Sequence, residues 1–234
     1  MPEIANVDST ELKKFDAMAA GWWDPEGDFK PLHDLNPVRM KFITDHAAVA
    51  GARVVDVGCG AGLLSEALAA AGADVLGIDL ADKPLEVARL HLHESSLTVD
   101  YRRVSVEALA GKEARSFDTV TCLELLEHVP DPESVVASCY QLLKPGGRCV
   151  FSTINRTPKA FAVAIAGAEY VLRLLPRGTH EYGKFIRPSE LIRVARRVGF
   201  ELLDLKGLGY NPFSGNASLI PDVGVNYIAS LEKS

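Results

Sequence analysis

Cysteine is scarce in this 234-residue chain and widely scattered. The thiols Cys59, Cys122, Cys139 and Cys149 form no Cys-x-x-Cys pair. Neither a zinc cage nor a disulfide framework is therefore expected, and reduced, buried thiols are the simpler reading. Long apolar runs are missing as well. The longest nearly uncharged stretch, Ala160 to Ala168, falls well short of the ~20 residues that cross a bilayer. Met1-Pro2-Glu3-Ile4 lacks the basic segment and apolar run of a secretory leader, so residence in the cytoplasm is expected. There is no basic excess: 25 Lys plus Arg stand against 31 Asp plus Glu, a net of −6. That balance argues against a general nucleic-acid binder held by phosphate contacts. What is present, 47% hydrophobic and 24% charged residues, excludes wholesale disorder and suits one domain with a sizeable core.

Residues 53–153 alternate short apolar runs with helical patterns. Strands are expected at Arg53 to Val57, Asp74 to Ile78, Val99 to Val104, Phe117 to Cys122 and Arg148 to Thr153. Between them, Leu63, Leu64, Ala67, Leu68 and Ala71 share a helical face closed by Gly72, and Pro84 to His93 reads as a second helix. A third helix runs to about Leu143, with Asp131 as N-cap and Pro132 at its first position. Such alternation predicts an α/β protein with a parallel sheet and right-handed crossovers. An amphipathic helix is expected over 9–20, and a last helix over Ser189 to Val198, ended by Gly199. Two β-like segments follow, near Glu201 to Leu205 and Val223 to Leu231.

The strongest local signal is Val54-Val55-Asp56-Val57-Gly58-Cys59-Gly60-Ala61-Gly62, between a strand and a helix. Glycines permit a sharp turn and close approach of a ligand to the main chain. Asp79, about 20 residues on at the end of the second strand, can accept hydrogen bonds from ribose hydroxyls. The third glycine comes one residue earlier than in the dinucleotide fingerprint, which counts against an NAD-dependent oxidoreductase. G-x-G-x-G preceded by Asp56 resembles motif I of the class I S-adenosylmethionine-dependent methyltransferases. Asp56 then either accepts loop N–H groups or meets the methionine ammonium. Ser105-Val106-Glu107 matches that family's adenine contact, and Leu142-Leu143-Lys144-Pro145-Gly146-Gly147 its turn before strand five. The resemblance implies a Rossmann-like, seven-stranded, mostly parallel sheet with helices on both faces and an antiparallel last strand, placed at Val223 to Leu231. It divides the chain into an N-terminal helical cap (1–50), a cofactor-binding core (51–155), an insertion after strand five (156–187) and the rest of the sheet (188–234).

A narrower likeness lies outside this core. Trp22-Trp23-Asp24-Pro25-Glu26-Gly27-Asp28-Phe29-Lys30-Pro31-Leu32-His33 and Asn36-Pro37-Val38-Arg39 resemble the bacterial ubiquinone-biosynthesis O-methyltransferases. So do Cys122-Leu123-Glu124-Leu125-Leu126-Glu127-His128-Val129-Pro130-Asp131-Pro132, Ser152-Thr153-Ile154-Asn155-Arg156, and Gly178-Thr179-His180 with Lys184-Phe185-Ile186. That family methylates a 2-polyprenyl-6-hydroxyphenol and a 3-demethylubiquinol. The resemblance implies cofactor contacts at Arg39, Gly58, Asp79 and Leu123, with Gly60 in the same loop. Arg39 could pair bidentately with the methionine carboxylate, or form only a surface ion pair. Membership in an assembly of pathway enzymes stays open, as does a small-molecule methyltransferase of another pathway or a non-catalytic quinone-binding module.

Methylating a phenol requires removal of a proton, and Glu124, Glu127 and His128 follow strand four at spacings i, i+3 and i+4. On one helical turn they would share a face. Three roles remain open: a ligand set for Mg²⁺ or Zn²⁺, direct base catalysis by His128 with Glu127 beside it, or a structural cluster. The insertion supplies an apolar run and six cations (Arg156, Lys159, Arg173, Arg177, Lys184, Arg187) against two anions (Glu169, Glu181). An anionic membrane surface is therefore an expected partner of residues 156–187, giving peripheral association with the inner membrane. The competing reading is a lid over the site.

Overall fold

The computed structural model describes residues 6–162 and 181–234. The helices are α1 (Ser9–Met18), α2 (Lys30–His46), α3 (Leu63–Ala70), α4 (Asp82–Glu94), α5 (Val106–Ala110), α6 (Pro132–Leu142), α7 (Pro158–Ala160) and α8 (Pro188–Val198). The strands are β1 (Arg53–Val57), β2 (Asp74–Asp79), β3 (Val99–Arg103), β4 (Phe117–Leu123), β5 (Leu143–Ile154), β6 (Phe200–Asn211), β7 (Asn216–Ile220) and β8 (Asn226–Lys233). They form one sheet in the order β3-β2-β1-β4-β5-β8-β6-β7. The first five pair in parallel, β8 runs antiparallel between β5 and β6, and β7 pairs antiparallel with β6.

This is the class I methyltransferase architecture with one strand more than expected. The antiparallel strand that the resemblance places at Val223 to Leu231 runs over Asn226–Lys233, and the hairpin of β6 and β7 adds an eighth strand over Asn216–Ile220. Gly207 and Gly209 face Ile220 across this hairpin and leave room for it. The sheet is buried on both faces because its central strands carry apolar side chains at successive positions, as in Val54 and Val55. One core packs Leu109, Val135, Cys139, Leu142 and Leu191 against it, and the other Phe42, Ile43, Leu68, Leu85 and Ala88. All four cysteines are free and buried.

Local signals explain the boundaries. Asp8 caps α1 by accepting from the N–H groups of Thr10 and Glu11, and a 3₁₀ turn over Ala19–Gly21 replaces the helix's expected last residues. Asp131 caps α6 through Ser134 N–H with Pro132 at the first turn, and Gly199, at φ +108°, ends α8. Most of the apolar run Ala160 to Ala168, with the segment through Leu175, lies outside the described residues. Among the described residues, no helix is long and apolar enough to cross a membrane.

Candidate functional site

Strand β1 delivers the chain to a glycine turn at the carboxyl edge of the sheet, where open α/β sheets place ligands. The N–H groups of Gly58 and Cys59 donate to the carbonyl of Ile78 at 2.8 and 3.0 Å. Gly60 N–H donates to Asp79 Oδ2 at 2.9 Å. At φ +54°, Gly60 holds a conformation that favours glycine, and a Cβ there would overlap the Trp22 ring. Asp79 Oδ1 also accepts from the N–H groups of Leu80 (2.6 Å) and Ala81 (2.8 Å). Burial pushes its pKa up, against the opposing pull of those three N–H groups. Asp56 meets hydroxyls rather than loop N–H groups, accepting from Ser65 Oγ at 2.7 Å and Thr121 Oγ1 at 2.8 Å. Burial raises its carboxyl to about 6 despite them.

An N-terminal layer covers this turn. Trp22 stacks on Phe29 with ring centroids 4.3 Å apart. Trp23 Nε1 donates to the Ala61 carbonyl at 2.9 Å, and its ring lies 3.4 Å from that of His91, nearly parallel. His91 Nδ1 meets Glu66 at 3.0 Å, fixing the layer to α3 and α4. Beside it, Arg39 on α2 is buried; its Nη2 donates to Glu124 Oε1 at 2.9 Å, while its Nε has no hydrogen-bond partner.

The three side chains after β4 do not share one helical face. Glu124 has a left-handed φ of +52°, and only Leu126–His128 forms a 3₁₀ turn. Pro130 disfavours a helical Val129, which is extended (φ −107°, ψ 146°), so no helix continues past His128. The side chains consequently turn to different partners: Glu124 to Arg39 and Ser152 Oγ (2.7 Å), Glu127 Oε2 to Thr153 Oγ1 (2.7 Å), and His128 Nδ1 to Glu11 Oε2 (3.0 Å). Among the described residues no group of three such side chains is arranged to hold a metal ion. Burial, and then the charge of Glu124, raises the Glu127 carboxyl to about 7, and its buried Oε1 has no hydrogen-bond partner. For His128, burial opposes the charged ring, but the Glu11 hydrogen bond and the surrounding carboxylates outweigh it, and its pKa rises.

A cavity of about 620 Å³ joins these parts. Arg39, Gly58, Gly60, Asp79, Leu123, Glu124, Glu127 and His128 all line it, as do Ser105, Val106 and Glu107. Ile154, Gly209, Tyr210 and Asn226, contributed by β5, β6 and β8, line it as well. Two contributors escaped sequence reasoning: the β6–β7 hairpin, and Glu11 on α1. Glu11 lies one turn before Phe15 on the same helix face, so a carboxylate within an apolar stripe was the available signal.

A family model described as a methyltransferase domain matches residues 33–205. A ubiquinone biosynthesis O-methyltransferase of Stutzerimonas stutzeri is 56% identical over 98% of this chain and 99% of its own. One from Nitrosococcus oceani is 58% identical over 96% and 95%. Among solved structures, a magnesium protoporphyrin IX methyltransferase of Synechocystis with bound S-adenosylhomocysteine superposes with a TM-score of 0.70 at 18% identity, covering 95% of each chain. A methyltransferase of Thermotoga maritima gives 0.68 at 19% identity, covering 96% of this chain and 100% of its own. These two share the fold.

Proposed function

The chain belongs to the ubiquinone biosynthesis O-methyltransferases, and from that membership we propose that it methylates the hydroxyls of polyprenylated phenols, a 2-polyprenyl-6-hydroxyphenol and a 3-demethylubiquinol. It is an S-adenosylmethionine-dependent O-methyltransferase of ubiquinone biosynthesis. The observation that carries the detailed reading is that one cavity is lined both by the glycine turn with Asp79 and by His128, which meets a carboxylate at 3.0 Å.

The residues present suit the cofactor. Gly58 and Gly60 line the cavity and would present backbone to it, Asp79 would accept from ribose hydroxyls, and Leu123 would lie beside it. The buried, unpartnered Nε of Arg39 suits the methionine carboxylate. When bound, S-adenosylmethionine supplies an electrophilic methyl group, so that an S–CH₃ bond is exchanged for an O–CH₃ bond and the electron pair stays on sulfur. A phenol with pKa ~10 is mostly protonated near neutrality. His128 takes that proton as the oxygen becomes a nucleophile, and the carboxylates of Glu11 and Glu127 stabilise the imidazolium that results. Walls of Leu12, Phe15 and Leu125 exclude water and align the ring.

A second reading follows from the orphaned Glu127 Oε1. A cation beside it would relieve the repulsion between Glu124 and Glu127, and Glu124, Glu127 and His128 would hold Mg²⁺ or Zn²⁺ only after Glu124 and Glu127 turned from Arg39 and Thr153 towards it. The ion would supply Lewis acidity at the phenol oxygen. Incubation with methyl-labelled S-adenosylmethionine and a demethylubiquinol analogue, with and without exhaustive chelation, tests both readings. Labelled product that survives chelation is expected for direct base catalysis. Activity lost to EDTA and restored by Mg²⁺ or Zn²⁺ assigns the metal role, and no labelled product under any condition overturns the substrate assignment.

Membrane contact through residues 156–187 is part of the same proposal, because a polyprenyl tail stays in lipid. Supporting it are the composition of that segment and two exposed aromatics, Phe161 and Phe213 (86% exposed). Three of its cations, Arg156, Lys159 and Lys184, pair with carboxylates of the chain. Flotation with anionic vesicles is expected for the intact chain and not after deletion of residues 160–175. Equal binding by both forms would contradict this.

A further inference from the structure

We infer that Glu11 of the N-terminal helix is a positioning residue that fixes the tautomer and orientation of the His128 ring. The inference rests on the reading of His128 as a working group of the site, as base or as ligand. It concerns a residue outside the 33–205 span of the methyltransferase domain.

Glu11 is 5% exposed and lies 117 residues from His128 in the chain, yet its Oε2 sits 3.0 Å from His128 Nδ1. Its Oε1 accepts from Lys14 at 3.1 Å and Lys184 at 3.2 Å. Paired with two ammonium groups, this carboxylate acts as an acceptor, so Nδ1 is the nitrogen that carries the proton in the neutral ring and Nε2 carries the lone pair. A carboxylate behind Nδ1 is the arrangement that orients histidines both in base catalysis and in metal ligation. The ring is held from a second side by Phe15, one turn further along α1, whose ring meets it edge-on with centroids 5.0 Å apart. Both restraints come from one helix, so the ring's attitude depends on how α1 docks.

Docking of α1 has other contacts besides Glu11. Asn6 bridges Glu107 Oε1 and the Asp131 carbonyl at 2.8 Å each and accepts from Asp131 N–H at 2.7 Å. Phe15 and Met18 pack with Trp22 and Phe29. A buried carboxylate is costly to place unless it is fully paired. At a position whose neighbours already secure the helix, its distinctive contact is the one with Nδ1.

The test is a double-mutant cycle on the full chain, with methyl-labelled S-adenosylmethionine and a short-tailed demethylubiquinol analogue. Glu11→Ala is expected to lower kcat about 100-fold, within the range by which a positioned acid–base group acts. S-adenosylhomocysteine affinity should stay within about twofold, since Glu11 touches no proposed cofactor contact. Glu11→Gln, which keeps an acceptor, should recover part of the rate. Once His128 is alanine, Glu11→Ala should cost nothing further, because there is no ring to orient. In long-range ¹H–¹⁵N spectra at alkaline pH, the Nδ1–H form of His128 should dominate in the wild type and become a mixture in Glu11→Ala.

An equal loss from Glu11→Ala in both backgrounds, or an unchanged tautomer, would overturn the positioning role and leave Glu11 a packing residue. A slow His128→Ala beside a fully active Glu11→Ala would overturn it as well, with the reading of His128 intact. A fully active His128→Ala would instead remove that reading itself. Should Glu11→Ala fail to fold, Glu11→Leu, of similar size and without an acceptor, carries the same cycle and the same spectrum.

Discussion

Asp79→Ala is expected to weaken S-adenosylhomocysteine binding by about 10³-fold, measured by titration calorimetry. The carboxylate contributes twice. It would accept from the ribose, a charge-assisted bond of roughly 1.5–3 kcal/mol. It also shapes the receptor, because its oxygens take the N–H groups of Gly60, Leu80 and Ala81. Removing it leaves buried donors without partners at roughly 1–3 kcal/mol each, and the loop relaxes to find new ones. A total near ~4 kcal/mol corresponds to about three decades of affinity. Asp79→Asn keeps one carbonyl acceptor and should lie between the two. Affinity within threefold of wild type in Asp79→Ala would mean that the cradle is held by something other than this carboxylate.

Gly62→Ala acts on the fold rather than on the ligand. Gly62 sits at φ +89°, and an added Cβ would overlap the Tyr101 hydroxyl, with the Tyr101 ring and Ala88 Cβ close behind. The left-handed backbone costs a non-glycine roughly 1–2 kcal/mol, and overpacking a tight core typically another 1–3. At about 2–4 °C per kcal/mol for a chain of this size, Tm should fall by roughly 5–20 °C in calorimetry. Tyr101→Phe in the same chain removes the overlapping oxygen and should restore some of the overpacking part, leaving the contact with the ring carbon and the backbone part. A Tm unchanged by Gly62→Ala would show that β3 and the loop can separate at little cost.

The glycine turn and Asp79 were legible because their signal is local. A strand, three glycines and a carboxylate about 20 residues on are adjacent in sequence and act within one βαβ unit. The last strand was legible as a β-like segment, and its antiparallel direction from the family resemblance. The edge strand β7 was not legible, since Asn216-Ala217-Ser218-Leu219-Ile220 is a short, half-polar segment whose partner, β6, carries two glycines. Spacing alone misplaced the Glu124, Glu127 and His128 trio. A count of i, i+3 and i+4 assumes a continuous helix, which the left-handed Glu124 and the proline after Val129 deny it. The Glu11 contact lay beyond sequence reasoning for a different reason: a helix period shows which face is apolar, not which side chain 117 positions away it will meet.

The N-terminal layer over the glycine turn has an optical consequence. The chain has two tryptophans, and both indoles belong to that layer, Trp22 against Gly60 and Trp23 hydrogen-bonded to Ala61 and stacked on His91. No indole elsewhere dilutes the signal. Excited at the red edge of indole absorption, where tyrosine does not contribute, the unlabelled protein therefore fluoresces from the layer over the glycine turn, and its emission follows any change in the packing of that layer.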